Sequence, residues 1–502
     1  MPLQLLQQTA VSPMARPTII AVALVYFAIV AAIGVWAMRR TKTASDFFVA
    51  GQGIGLFALA LAAMSATVSG FAFIGGPGFV YASGLGAMFL VLPLALTNTM
   101  GAWVLAKRLR LLGEIRGLMT IPDAIGARYR SPVAQGLSGV SILIAVIGYM
   151  ATNVLALGLV VDAMFGTGLG WGIWAGMGIT LAYSVAGGIL AGVYTDVFQG
   201  SLMAVASALV FFFALDAGGG LGAMSRAISS ADALFLEPWG SMSPLAALSL
   251  FFVFGIGALA QPHVAHKFYM LRDPRRLKWY PLLMTVALMM AMSLYFGVGI
   301  SVRALVATGD LAPLGRPDEA TPTFLLQFTP NLLAALVFSG VVAAIMSTVN
   351  SFMSIGAAAI THDIPVALGR RVPNELLVGR VSTVVISVLA AMIAQFSGKL
   401  VAFLGIFGWG LFASTLVPAL AIGLNWPNAT RAGAIASIVT GLVLTLALET
   451  LAYFGTYSFP AGVTVSGATL VLSCLVFFGV SWLTRARAAA ELDPDVRLVM
   501  EV

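Results

Sequence analysis

The sequence predicts an all-α polytopic membrane protein with thirteen transmembrane helices, and three observations carry that expectation. Of 502 residues, 60% are hydrophobic and 9% are charged, with a mean hydropathy of +1.00, whereas a soluble domain carries about 25% charged residues. Apolar runs long enough for one bilayer crossing each follow one another at 18–38, 55–82, 84–106, 133–163, 169–186, 198–216, 244–265, 280–302, 331–360, 380–396, 400–422, 432–454 and 463–484. All but five of the 26 Lys and Arg fall in alternate loops, the asymmetry that orients helices in a membrane. A missed or extra helix would invert the sign of every later loop, so the charges support the count.

The first run lies between Arg16 and the cluster Arg39, Arg40 and Lys42. A cleaved leader has the opposite charge order and a shorter core, so this is a retained helix with its N-terminus outside. The following inner loops hold Lys107, Arg108, Arg110, Arg116, Arg128 and Arg130, then Lys267, Arg272, Arg275, Arg276 and Lys278, then Arg370, Arg371, Arg380 and Arg431. Arg485, Arg487 and Arg497 leave the C-terminus cytoplasmic. The net charge of +7 is thus a topology signal spread between apolar segments. It implies a lipid bilayer as partner and no nucleic acid.

The longest outer stretches, 217–243 and 303–330, have room for one short helix each, and the chain reads as a single membrane domain over 1–502 with no appended catalytic or signalling module. Cys474 is solitary, which excludes a disulfide or a cysteine metal site; it is expected to pack as a small hydrophobe. His263 and His266 are spaced like a metal pair, but they adjoin a basic cluster and are expected at the cytoplasmic surface. The GQGIG run at 51–55 lacks the preceding strand of a nucleotide-binding loop.

Two runs look deliberately broken. The second, GLFALALAAMSATVSGFAFIGGPGFVYA, gathers its serines, glycines and Pro77 at the centre, where each Gly costs about 1 kcal/mol and Pro about 3 kcal/mol of helix stability. Small residues also allow tight helix packing, but here they cluster at mid-depth instead of lining one face. The seventh run carries Gly255, Gly257, Gln261 and Pro262. The two interrupted runs are five crossings apart and enter the membrane from opposite sides. That is the footprint of a five-plus-five inverted repeat with a binding site between its discontinuous helices. The repeats would be 55–216 and 244–422, flanked by one extra helix at 18–38 and two at 432–484.

The ninth run contains AAIMSTVNS at 343–351, uncharged but rich in hydroxyls. Ala344, Ser347, Thr348 and Ser351 stand on one helical face, so the Ala344 carbonyl and the Ser347 and Thr348 hydroxyls converge. Buried hydroxyls commonly bond their own backbone one turn back. A matching unwound turn at Ser65 to Val68 would add free carbonyls, and a hard cation such as Na⁺ wants several oxygen ligands. A neutral cage also avoids an intramembrane carboxylate that must be neutralised whenever the site empties.

The stretches DFFVAGQGIG (46–55), FIGGPGFVYASGLG (73–86), GGILAGVYTDVFQG (187–200), AQPHVAHKF (260–268) and AAIMSTVNSFMSIGAAAITHDI (343–364) resemble, in order, the signature segments of the sodium:solute symporter family. The resemblance implies a LeuT-type five-plus-five fold and a sodium site made by the carbonyls of Ser65, Val68 and Ala344 with the hydroxyls of Ser347 and Thr348. It places Asp196 on the sodium release path to the cytoplasm and Tyr149 against the solute. Where the proline permeases of the family have an aspartate this chain has Thr67, and it has Phe71 and Phe254 in place of their tryptophans. FIGGPG and AAIMSTVN resemble the pantothenate and monocarboxylate branch.

The polar side chains expected at mid-membrane are Thr67, Ser69, Tyr149, Thr152, Asn153, Gln261, Asn350 and Ser351, with no Lys or Arg at that depth. A substrate carboxylate would therefore rest on hydroxyls, amides and a half-helix N-terminus. The expectation is a sodium-coupled symporter of the bacterial inner membrane, importing a small monocarboxylate or pantothenate-like acid by alternating access. The rival on the same scaffold is a proton-coupled permease or a sodium-driven permease for a proline-like amino acid or other neutral solute. An enzyme is not expected, since no cluster of His, Asp, Glu or Cys falls at membrane depth in the sequence reading.

Overall fold

A computed structural model describes residues 17–39, 54–398 and 401–501. Most of the DFFVAGQGIG stretch, together with Arg40, Lys42 and Lys399, lies outside the described residues. Among the described residues ten helical stretches are long and apolar enough to cross a membrane, and three shorter apolar helices accompany them at Pro17–Ile33, Leu56–Thr67 and Leu169–Ala182.

The chain opens with α1 (Pro17–Met38) and α2 (Leu56–Thr67). A π-helical turn, Phe71–Gly75, leads into α3 (Gly76–Ser83), then α4 (Met88–Gly101) and α5 (Lys107–Arg116). The short α6 (Ile121–Tyr129) starts on a capping box in which Thr120 and Asp123 satisfy each other's backbone N–H, a reciprocal device that closes two free donors. It is followed by α7 (Pro132–Phe165), α8 (Leu169–Ala217) and the outer α9 (Leu221–Ala231).

The second broken crossing comprises α10 (Pro244–Gly257) and α11 (Pro262–Ala265). Then come α12 (Tyr280–Thr308), α13 (Ala320–Phe328), α14 (Asn331–Ala358), α15 (Ile364–Ala367), α16 (Glu375–Phe396), α17 (Val401–Leu416), α18 (Arg431–Tyr453) and α19 (Val465–Leu483). The short helices α20 (Ala488–Glu491) and α21 (Pro494–Glu501) end the described chain. Both outer stretches named from the sequence do hold a short helix, α9 and α13.

The crossing that contains α14 is the most enclosed: 89% of its apolar window is buried, against 28% for α18. It packs on α7, α8, α1 and α16, which places the hydroxyl-bearing run at the centre of the bundle. The gap expected between the fifth and sixth crossings is helical instead, within the 49-residue α8. A straight helix of that length would be about 74 Å long, more than twice the hydrocarbon thickness. Its part Val193–Ala217 is long and apolar enough for one crossing, and Leu169–Ala182 is one of the shorter apolar helices.

Basic residues assigned to loops by charge counting are partly interior. Arg128 is fully buried and donates to the carbonyls of Gly423 (2.7 Å), Trp426 (3.0 Å) and Ala429 (3.3 Å) beyond α17. It satisfies backbone acceptors that the end of the crossing leaves open. Arg128→Met is expected to destabilise the protein by about 3 kcal/mol, since each lost bond to a charged donor is worth about 1.5–3 kcal/mol and methionine replaces only the packing. An unchanged thermal midpoint would refute that role. On the same face Arg116 grips Asp493 (2.7 Å) and Asp495 (2.6 Å) and docks α21; this guanidinium holds the Asp495 carboxyl below its ordinary range.

Candidate functional site

Both breaks expected from the glycine and proline clusters are present, and each opens toward the middle of the bundle. In the first, Val68 has left helical geometry (φ −88°, ψ 86°) although its N–H still closes on Met64. Gly70 N–H, which in a continuous helix would reach the Ala66 carbonyl, donates to Asn153 Oδ1 at 3.0 Å. The position must be glycine, because a Cβ there would lie 2.7 Å from the Ala156 Cβ and 2.8 Å from the Ile345 side chain. In the second break Gln261 is extended between a 3₁₀ turn and α11. Its amide donates to Gly257 O (3.0 Å) and Trp409 O (3.3 Å), bridging the break to α17.

The freed carbonyl of the first break is taken up from α14. Thr348 Oγ1 lies 3.1 Å from the Ala344 carbonyl and 3.2 Å from the Ala66 carbonyl. Thus Thr348, Ala344 and the unwound end of α2 meet at one point, as the spacing predicts, with Ala66 as the neighbour that spacing did not single out. Ser65 and Val68 belong to the same buried turn; the Ser65 hydroxyl points to Met203 Sδ at 3.8 Å. Ser347 Oγ is fully buried without a hydrogen-bond partner.

Asp196 lies close to Ser347, and its Oδ1, like the Ser347 hydroxyl, makes no well-aligned hydrogen bond. The other oxygen, Oδ2, binds the Lys267 ammonium at 2.7 Å, and both side chains are at most 2% exposed. One sequence expectation fails here: Lys267 is an interior cation and not a loop residue. Pairing is what makes either charge tolerable away from water.

The solute-site candidates surround an aromatic core. Phe71 stacks on Phe254 (centroids 5.6 Å apart) and Phe254 on Trp409 (5.0 Å), so the π turn after α2, the end of α10 and α17 join in one column. Tyr149 stands edge-on to Trp409 at 6.1 Å, and its hydroxyl interacts with Ser69. Asn153, one turn along α7, donates to the Tyr149 carbonyl (3.1 Å) while accepting from Gly70. These residues and Gln261 form one contiguous set of contacts. Thr67 instead bonds its own Ala63 carbonyl at 2.8 Å, the common local habit of a buried threonine. Asn350 is buried with Oδ1 unpartnered.

The expectation of surface histidines is overturned. His263 is 1% exposed among Tyr149, Phe352, Trp409 and Phe412, with neither ring nitrogen hydrogen-bonded, and His266 is 3% exposed. The break at Gln261 turns the segment inward, which their sequence neighbours do not reveal. Trp409 was missed because GIFGWGLF is uniformly apolar and reads as lipid-facing helix. An aromatic wall with a few amides and hydroxyls suits a small organic solute. The oxygens converging between α2 and α14 suit a small hard cation.

The sequence model of the Sodium:solute symporter family matches residues 47–441. The osmoregulated proline transporter OpuE of Bacillus subtilis is 28% identical over 436 residues, covering 84% of this chain and 87% of the relative. The sodium/proline symporter of Escherichia coli is 26% identical, covering 88% and 90%. A solved structure of a Na⁺-coupled sialic acid symporter superposes with a TM-score of 0.74 at 19% identity, covering 92% of this chain and 97% of the other. At that identity the superposition speaks for the fold alone.

Proposed function

The chain belongs to the sodium:solute symporter family, and from that premise we propose that it imports a small amino acid of proline's size together with sodium by alternating access. The proline transporters among its relatives support the solute class, and the compact Phe71, Phe254 and Trp409 wall suits a short apolar ring or chain. Ser69, Tyr149, Asn153 and Gln261 would orient its polar end; Thr67 and Asn350 stand at the margin. The small monocarboxylate or pantothenate-like acid expected from FIGGPG and AAIMSTVN finds no support among those relatives. One feature still favours such an acid: the lining holds no free carboxylate to face an ammonium, because Thr67 is neutral and Asp196 is engaged by Lys267.

Sodium would sit between the broken second crossing and α14, on the carbonyls of Ser65, Val68 and Ala344 and the hydroxyls of Ser347 and Thr348. The observation that carries this is Thr348 Oγ1 poised between Ala344 O and Ala66 O beside the unpartnered Ser347 Oγ. Sodium passing inward would meet Asp196 next. Thirteen crossings, arranged as repeats 55–216 and 244–422 in a bacterial inner membrane with the N-terminus outside, complete the proposal.

The driving force is sufficient. One charge falling through about 150 mV yields roughly 3.5 kcal/mol, and a tenfold sodium gradient adds about 1.4 kcal/mol. Together these sustain roughly thousandfold accumulation of a net-neutral solute such as a zwitterionic amino acid.

Uptake into proteoliposomes of labelled L-proline, acetate and pantothenate, each with sodium or potassium outside and at two pH values, tests the reading. L-proline uptake should need sodium and respond little to pH. Sodium-dependent uptake of an acid alone would transfer the assignment to the second reading. Uptake indifferent to sodium but driven by a pH gradient would refute sodium coupling.

A further inference from the structure

We propose that the arginine- and lysine-rich face of the bundle carries a binding site for one transition-type divalent cation, of the Zn²⁺ class, built from Asp123, His362 and Asp363 with His266 beneath them. One ligand atom from each of the first three lies within 4.8 Å of the others, so small side-chain movements would bring them around one ion. His362 Nε2 is already 3.0 Å and 3.1 Å from the two Asp123 oxygens.

The carboxylates are held as metal ligands commonly are, by hydrogen bonds that fix their orientation. Gln135 Nε2 donates to Asp123 Oδ1 (2.9 Å), and the N–H groups of Met119 (3.1 Å) and Thr120 (3.2 Å) donate to its Oδ2. The Thr120 hydroxyl donates to Asp363 Oδ1 at 2.5 Å. These contacts alone would describe a salt bridge and a helix cap.

His266 points further. It is 97% buried, its ring nitrogens make no well-aligned hydrogen bond although the Met119 backbone lies close to the ring, and it lines a narrow cavity together with Thr120 and Asp363. A buried imidazole without a well-aligned partner is costly, and a fourth ligand offered to an ion would remove that cost. The chain has only three histidines and one cysteine, yet one histidine belongs to this cluster and a second lines the cavity beside Asp363. Two carboxylates with one or two imidazoles favour a borderline metal over Mg²⁺ or Ca²⁺, which take all-oxygen shells. Asp123 and His362 keep 10% and 21% of their side chains exposed, which leaves an entry path.

The ligands come from α6, from the π turn that follows α14, and from the inner half of the broken seventh crossing. An ion held there would tie the inner half of the broken seventh crossing to α6 and to the turn after α14. The assignment rests on these side chains and stands whatever the solute is.

Protein purified without a polyhistidine tag should bind one equivalent of Zn²⁺ by calorimetry, and Co²⁺ should develop a visible absorption band. The affinity should fall at least tenfold in His362→Gln and in Asp363→Asn, and the Co²⁺ band should shift in His266→Gln. Thermal midpoints without metal identify any variant that misfolds, and the wild-type titration stands by itself. Absence of saturable one-equivalent binding to the wild-type protein, or unchanged affinity in well-folded His362→Gln and Asp363→Asn, would overturn the assignment.

Discussion

Replacing Ser347 and Thr348 together by alanine is expected to raise the sodium concentration for half-maximal uptake by about a hundredfold. Each hydroxyl that binds a charged partner is worth roughly 1.5 kcal/mol or more, and two such losses amount to about two decades in affinity. The effect should concentrate in these two positions because each has a distinct place in the geometry. Thr348 joins α14 to the unwound Ala66 carbonyl, and Ser347 offers a buried oxygen with no donor of its own. Thr348→Ser, which keeps the oxygen, should recover most of the affinity, whereas Thr348→Val, which keeps the shape, should not. Sodium dependence unaltered in the double variant would remove the cation site from this turn, leaving the hydroxyls as helix-packing groups.

The second large effect is expected at the interior ion pair. Lys267→Met strands the Asp196 carboxylate in an interior where both partners are at most 2% exposed, and removing one member of such a pair costs about 3–5 kcal/mol. Asp196→Asn should be similarly severe. The double variant Lys267→Met, Asp196→Asn removes both charges and should regain most of the lost stability, because the attraction between buried charges largely offsets their desolvation and adds little beyond it. A thermal-shift cycle of the four proteins measures this directly. Additive losses in the double variant would mean that the two side chains act separately and that the 2.7 Å contact does not govern their energetics.

Much of this architecture is legible in the sequence, for identifiable reasons. Glycine and proline act on their own backbone, so the clusters around Ser65 to Gly78 and Gly255 to Pro262 revealed both breaks without reference to any partner. The face shared by Ala344, Ser347 and Thr348 follows from helical periodicity alone. What escaped notice depends on which helix faces which. Lys267 counts as a loop cation by its distance from an apolar run, and only the fold brings it against Asp196, 71 positions away. His263 and His266 were read from their basic neighbours, while the turn at Gln261 sends them inward. Trp409 sits in an unbroken apolar string and has no local feature to mark it, although it completes the wall begun by Phe71 and Phe254. The continuous α8 was divided because its apolar run is interrupted between 186 and 198, where the backbone stays helical.

The place of Trp409 gives the protein an optical handle. Of its nine tryptophans, six are exposed on the outer envelope and Trp409 is the only one classed as buried. It is stacked on Phe254, donates its indole N–H to the Val253 carbonyl and accepts at its own carbonyl from the Gln261 amide, three contacts with the broken seventh crossing. Any rocking that parts α10 from α17 must unstack this indole and admit water to it. Emission from Trp409, isolated by replacing the other eight indoles with phenylalanine, would therefore follow the opening stroke in real time without an attached dye.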